Sequence, residues 1–244
     1  MLDCNRKDML SLPNLLTLLN LICGSLSIYG IFYESEFVTI FFFSLALIFD
    51  FLDGFAARLL GQTSALGRDL DSLADLISFG LFPTFLLVDL IDRSLIIGEN
   101  PIYGLVFILV AGAGLRLATF NQTVSSSPGF AGIPTPAMAM IVFAIWINTN
   151  NPAYPGLESL ANPVFILILA LVLTLVMNLP IPFIKFSLGK AMDIHQIFSL
   201  ILILIGIVVL FFNWRLAVLI TILAYCLFSL LLPLLQRSSS SPTR

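Results

Sequence analysis

Apolar residues run in long blocks along the chain, separated by short stretches that carry charge, proline or glycine. Blocks long enough to cross a bilayer as helices fall at approximately 14–33, 37–59, 70–91, 101–120, 133–149, 162–180, 194–212 and 214–235. The pattern predicts eight transmembrane helices, the last two joined as a tight hairpin at Asn213 and Trp214. No stretch is polar enough for a separate soluble domain. The expected class is therefore all-α: a polytopic membrane bundle of about eight helices forming one domain over 1–236, with a disordered tail, RSSSSPTR, at 237–244.

Composition acts mainly by exclusion. Of 244 residues, 59% are hydrophobic and 10% charged, and the mean hydropathy is +1.06. A soluble domain is about half apolar and a quarter charged. A soluble enzyme, a disordered chain and a nucleic-acid partner are all excluded on this ground. The net charge of -3 says less than where the charges lie.

With the N-terminus cytoplasmic, Arg6, Lys7, Arg58, Arg68, Arg116, Lys185, Lys190, Arg237 and Arg244 face the cytoplasm, and only Arg93 and Arg215 face away. That bias predicts a cell (inner) membrane protein with both termini cytoplasmic. The first apolar block follows Asp3, Arg6, Lys7 and Asp8 with no cleavage pattern, and reads as a retained span. Cys4, Cys23 and Cys226 share no metal-ligand spacing and read as apolar filler.

One segment breaks the apolar background: FDFLDGFAARLLGQTSALGRDLDSLAD, residues 49 to 75. Asp50 and Asp53 lie three apart at the end of the second span, and Asp71 and Asp75 four apart at the start of the third. Each pair therefore shares a helical face. A connection of roughly ten residues lets the two helices pack antiparallel, so that the faces meet at the cytoplasmic rim. Four converging carboxylates repel one another and resist desolvation. Arg58 cannot balance them alone, whereas divalent cations can, because Mg²⁺ takes oxygen ligands from a few carboxylates and from substrate phosphates. Asp69 falls off this stripe and is expected to face solvent. Gly67, one turn before Asp71, admits a close neighbour.

The spacing D-x2-D-G-x2-A-R-x8-G-x3-D-x3-D runs through Asp50, Asp53, Gly54, Ala57, Arg58, Gly67, Asp71 and Asp75. It resembles the signature of the CDP-alcohol phosphotransferase family, which transfers a phosphatidyl or similar group from a CDP-linked donor to an alcohol and releases CMP. The resemblance implies two divalent cations, Mg²⁺ or Mn²⁺, held by Asp50, Asp53, Asp71 and Asp75, with Asp75 also the catalytic base on the acceptor hydroxyl. It assigns Arg58 to the donor pyrophosphate, with Gly54, Ala57, Gly67 and Ser64 around the donor, and it implies a homodimer.

Three further segments, PNLLTLLNLICG at 13–24, LRLATFN at 115–121 and GFAGIPTPA at 129–137, make the chain similar to the integral-membrane subfamily that forms phosphatidylserine. The implied substrates are CDP-diacylglycerol and L-serine. Asn14 and Thr17 would touch the donor nucleotide, although helix-start chemistry with Ser11 or Asn14 as cap and Pro13 in the first turn also accounts for them. Arg116 and Asn121 would bind the acceptor, the alternative for Arg116 being cytoplasmic anchoring. Thr119 stands where the subfamily usually has a second basic residue, which leaves choline, glycerol phosphate or inositol phosphate as alternative acceptors. A cation transporter is the reading from another class, but its site would be expected near the midplane.

Pro128, Pro134 and Pro136 should set a turn and a helix start. LPIPFIKFSLGKAMD, 179–193, should lie on anionic headgroups. His195 reads as a boundary residue.

Overall fold

A computed structural model describes residues 11–94, 101–123, 132–149, 155–179 and 213–239. The helices are α1 (Leu12–Phe32), α2 (Glu36–Leu60), α3 (Ala65–Asp75), α4 (Phe82–Ser94), α5 (Ile108–Thr123), α6 (Thr135–Thr149), α7 (Pro163–Asn178) and α8 (Trp214–Ser239). A π-helical segment, Leu76–Leu81, joins α3 to α4, and 3-10 turns at Pro101–Phe107 and Pro155–Ala161 precede α5 and α7. No strand occurs among the described residues.

Seven of the eight expected spans correspond to these helices. The expected span at 194–212, the surface segment from residue 180 onward, Pro128 and His195 lie outside the described residues. The last helix continues through Ser239, three residues into the stretch expected as a disordered tail.

Among the described residues four helices are long and apolar enough to cross a membrane: Leu12–Phe32, Glu36–Leu60, the continuous run Ala65–Asp92, and Gly104–Gln122. Thr135–Thr149, Pro163–Asn178 and Trp214–Ser229 are shorter apolar helices. The chain is a multi-pass membrane protein. On α1 most of the polar side chains are the buried ones. α1 buries Asn14, Thr17, Asn20 and Ser27 and exposes Leu12, Leu15, Ile22 and Tyr29. Lipid takes the apolar face, and small or polar residues make the helix contacts.

Local chemistry sets the helix ends near the site. Pro13 starts α1 with Ser11 at the cap position, but the Ser11 side chain makes no cap bond. α2 ends at Gly61, whose φ of 62° is left-handed and suits glycine. Ser64 caps α3 by accepting from the Gly67 N–H at 2.9 Å. The connection between α2 and α3 is thus only residues 61–64, shorter than expected, because the cap lets the polar run from Ala65 to Asp69 join the helix.

The π segment has a local cause. Pro83, second in α4, has no N–H to give, and the Phe82 N–H reaches back to Ile77. The widened turn absorbs the mismatch. Against it, α1 comes so close that a Cβ on Gly24 would collide with Ser78. Beyond lies an aromatic core in which Phe43 meets Phe82 at 4.6 Å and Phe143 at 4.7 Å between ring centroids.

The end of the bundle opposite the aspartates is tied separately. Arg215 pairs with Glu36 at 2.5 Å and donates to the Ile147 carbonyl at 2.9 Å. Trp146 Nε1 donates to Asp89 at 2.6 Å. Helices that end at the aspartates therefore begin at this tie, or the reverse, as alternating crossings require.

Candidate functional site

α2 and α3 run antiparallel about their short connection, and this carries the end of one against the start of the other. One carboxylate oxygen each from Asp50, Asp53 and Asp71 lies within 4.8 Å of the others. Asp53 is buried, and Asp50 and Asp71 are half-buried. Asp75 is outside this trio but adjoins it, its carboxyl within side-chain hydrogen-bonding reach of Asp50. Asp53 Oδ2 and Asp75 Oδ1 are buried without a hydrogen-bond partner among the described residues. Clustered, partly unsatisfied carboxylates are costly in a bilayer unless cationic charge joins them. An all-oxygen donor set of this kind fits a hard divalent cation. Asp69 is exposed, as its position off the stripe predicts.

Beside the aspartates lies a cleft of about 220 Å³. Asn14, Thr17, Gly54, Ala57, Ser64 and Gly67 line it together with Asp53 and Asp71. The Thr17 hydroxyl donates to the Pro13 carbonyl at 3.0 Å and also faces the Asp53 carboxylate. Asn14 is buried against Gly67, where a Cβ would come within 2.9 Å of Asn14 Oδ1. Arg58 is exposed, and its guanidinium lies back over Gly54, with Nη1 3.6 Å from where a Cβ would stand. Sequence reasoning missed Gln62, Thr63 and Arg68 in this wall. Their only signal was position in the short connection and first turn of α3.

The expected acceptor residues approach from α5. Arg116 is only 9% exposed, donates from Nη1 to Thr135 Oγ1 at 3.3 Å and lies within charge range of Asp75. That placement rules out headgroup anchoring. Asn121 does not line the cleft. Its Nδ2 donates to Ser72 Oγ at 2.8 Å, which ties α5 to the turn between Asp71 and Asp75. Thr119 is exposed and returns its hydroxyl to the Leu115 carbonyl. Tyr225 on α8, hydrogen-bonded with Ser229, lies within electrostatic reach of Arg116. No sequence signal pointed to Tyr225, and Thr135 was visible only as part of the segment GFAGIPTPA, with no role of its own.

Carboxylates gathered at one end of a membrane helix bundle, beside a polar cleft with arginines at its rim, define an integral-membrane group-transfer enzyme that handles phosphate. The chain belongs to the CDP-alcohol phosphatidyltransferase family, whose model matches residues 10–177. It is 36% identical over 144 residues to a CDP-diacylglycerol–serine O-phosphatidyltransferase of Bacillus subtilis, covering 58% of this chain and 77% of that one. It is 34% identical over 202 residues to the protein of the same name from Helicobacter pylori, covering 80% of each. An archaetidylserine synthase of Methanothermobacter thermautotrophicus is 32% identical over 145 residues, covering 57% of this chain and 59% of its own length.

Proposed function

We propose that the chain transfers the phosphatidyl group of CDP-diacylglycerol to the hydroxyl of L-serine, forming phosphatidylserine and CMP. The observation that carries the reading is the convergence of Asp50, Asp53 and Asp71, with Asp75 adjoining, beside a cleft lined by Gly54, Ala57 and Gly67 of the same signature. Relatives named as serine phosphatidyltransferases support serine as the acceptor. The serine hydroxyl oxygen attacks the phosphatidyl phosphorus, the phosphorus–oxygen bond to CMP breaks, and the hydroxyl proton passes to a carboxylate.

In this reading Asp50, Asp53, Asp71 and Asp75 hold two divalent cations, Mg²⁺ or Mn²⁺. When bound, these neutralise the pyrophosphate and stabilise the leaving phosphate. Asp75, deepest of the four along α3, takes the proton. Arg58 pairs with donor phosphate, with Arg68 in the cleft wall as a second cation, and a guanidinium fork suits that task. Asn14, Thr17, Gly54, Ala57, Ser64 and Gly67 shape the nucleotide wall. Arg116, buried near Asp75, receives the acceptor carboxylate, and Asn121 supports it from the Ser72 side.

The site then opens at the cytoplasmic rim of the inner membrane, where lipid tails stay in the bilayer while the headgroup reaches water. Both termini lie on that side. In this reading the single membrane domain extends over 1–236, beyond the 10–177 that the family model matches, and pairing with a second copy is what the family resemblance implies.

The test is CMP release by the purified protein in lipid micelles with CDP-diacylglycerol, Mn²⁺ or Mg²⁺, and one alcohol at a time. Release with L-serine and conversion of labelled serine to lipid is the expected result. Release only with choline, glycerol phosphate or inositol phosphate overturns the acceptor. No release with any alcohol overturns the reaction and returns the cluster to ion transport.

A further inference from the structure

α1 carries three polar side chains along its buried face: Asn14, Thr17 and Asn20. The first two line the cleft, but Asn20, one turn deeper, does not. Asn20 is fully buried, and among the described residues neither its Oδ1 nor its Nδ2 has a hydrogen-bond partner. Buried carboxamides are normally paired. A carboxamide left unpaired is a recognition group awaiting its ligand or a cost to folding.

Neighbouring contacts fix its level in the bundle. Thr17 faces Asp53 and Gly30 lies against Thr39, so the antiparallel register of α1 and α2 sets Asn20 across from Asp50. Asn14 meets Gly67, and the Asn20 carbonyl accepts from Ser78 Oγ at 3.2 Å, so on the α3 side Asn20 stands level with the turn from Asp75 to Ser78. Asp75 adjoins Asp50 and keeps its own buried, unpartnered Oδ1. Two unsatisfied polar side chains thus occupy one level beneath the cleft, with Arg116 in charge range of Asp75.

We propose that Asn20 is a specificity-determining residue for the acceptor, its carboxamide hydrogen-bonding the small alcohol whose hydroxyl meets Asp75. This rests on the transfer reaction proposed above. The carboxamide offers two donors and a carbonyl acceptor. It therefore answers both the carboxylate and the ammonium of a zwitterionic amino acid, and Arg116 supplies the charge that Asn20 lacks. Its burial beneath the cleft favours a compact acceptor over a bulky one.

The test uses Asn20→Leu, which keeps the number and branching of the side-chain heavy atoms and removes the polar ones, with the smaller Asn20→Ala as a second variant should the bulkier leucine fail to fold. The expected result is a KM for serine raised about tenfold or more, a KM for CDP-diacylglycerol unchanged, and a melting temperature without ligands equal to or above that of the wild type. Saturating serine should raise the melting temperature of the wild type but not of the variant. An unchanged serine KM, or donor and acceptor KM rising together, overturns the proposal. If the wild type releases CMP only with another alcohol, serine fails as the acceptor. The same variants then test Asn20 on that alcohol's KM, and an unchanged value there overturns it too.

Discussion

At Gly67 a hydrogen stands where any other residue would bring a Cβ to 2.9 Å from Asn14 Oδ1 and 3.1 Å from Ser64 Oγ. Both neighbours line the cleft, and Asn14 is held in a buried position on α1. Gly67→Ala should therefore displace the nucleotide wall and leave the aspartates in place. The expected outcome is a KM for CDP-diacylglycerol raised about tenfold with kcat less affected, checked by CMP-release kinetics. Arg116 gives the complementary residue-scale prediction. Its guanidinium is buried beside Asp75 and bonded to Thr135, so Arg116→Ala should raise the acceptor's KM more than the donor's in the same assay. The sequence made the aspartates and Gly67 legible because their spacing is the chemistry. It left Arg116 divided between anchoring and acceptor binding, since one arginine near a helix end looks the same in both cases. The structure adds that its guanidinium is buried, bonded to Thr135 and near Asp75.

The element that positions the site is the run from Ser64 to Ser94. Its first turn is held by the Ser64 cap on Gly67, and its middle is widened into a π segment directly after Asp75. Ser64→Ala should cost about 1 kcal/mol as a lost cap. It should also lower activity by loosening the turn that bears Gly67 and Arg68. Thermal melts and kinetics on one preparation check both effects. Hydropathy marked this span but started it at residue 70, because Arg68 and Asp69 are too polar for an apolar window while the cap still makes them helical. The π segment had no sequence signal beyond Pro83. Likewise, α1 reads from its sequence as an apolar span interrupted by Asn14, Thr17, Asn20, Ser25 and Ser27. Which of its faces is buried became visible only from the packing, and it is the polar one.

Across the whole molecule the two ends of the bundle do different work. Partly unsatisfied carboxylates gather at one end, while the other is closed by Arg215 with Glu36 and Ile147 and by Trp146 with Asp89. Arg215→Ala should weaken that closure without touching the cleft. Because the pair is partly exposed, a loss of about 1 kcal/mol, or about 2–4 °C in melting temperature, is expected. Both KM values should stay unchanged. A melt and a kinetic run on this variant check the separation of the two ends. The alternation of the helices was legible from the charge pattern, which placed Arg215 on the face opposite the aspartates. Which residues close that face was not, because Glu36, Ile147 and Arg215 meet only through tertiary packing of distant segments.

The central claim is that Asp50, Asp53, Asp71 and Asp75 hold divalent cations for the transfer. Its most direct measurement is CMP release titrated with Mn²⁺ in the wild type and in Asp71→Asn, each melted in parallel. Release that rises with metal, vanishes on chelation and is absent from a folded Asp71→Asn protein is the predicted result. Full release from Asp71→Asn, or release from the wild type that survives chelation, would contradict the account.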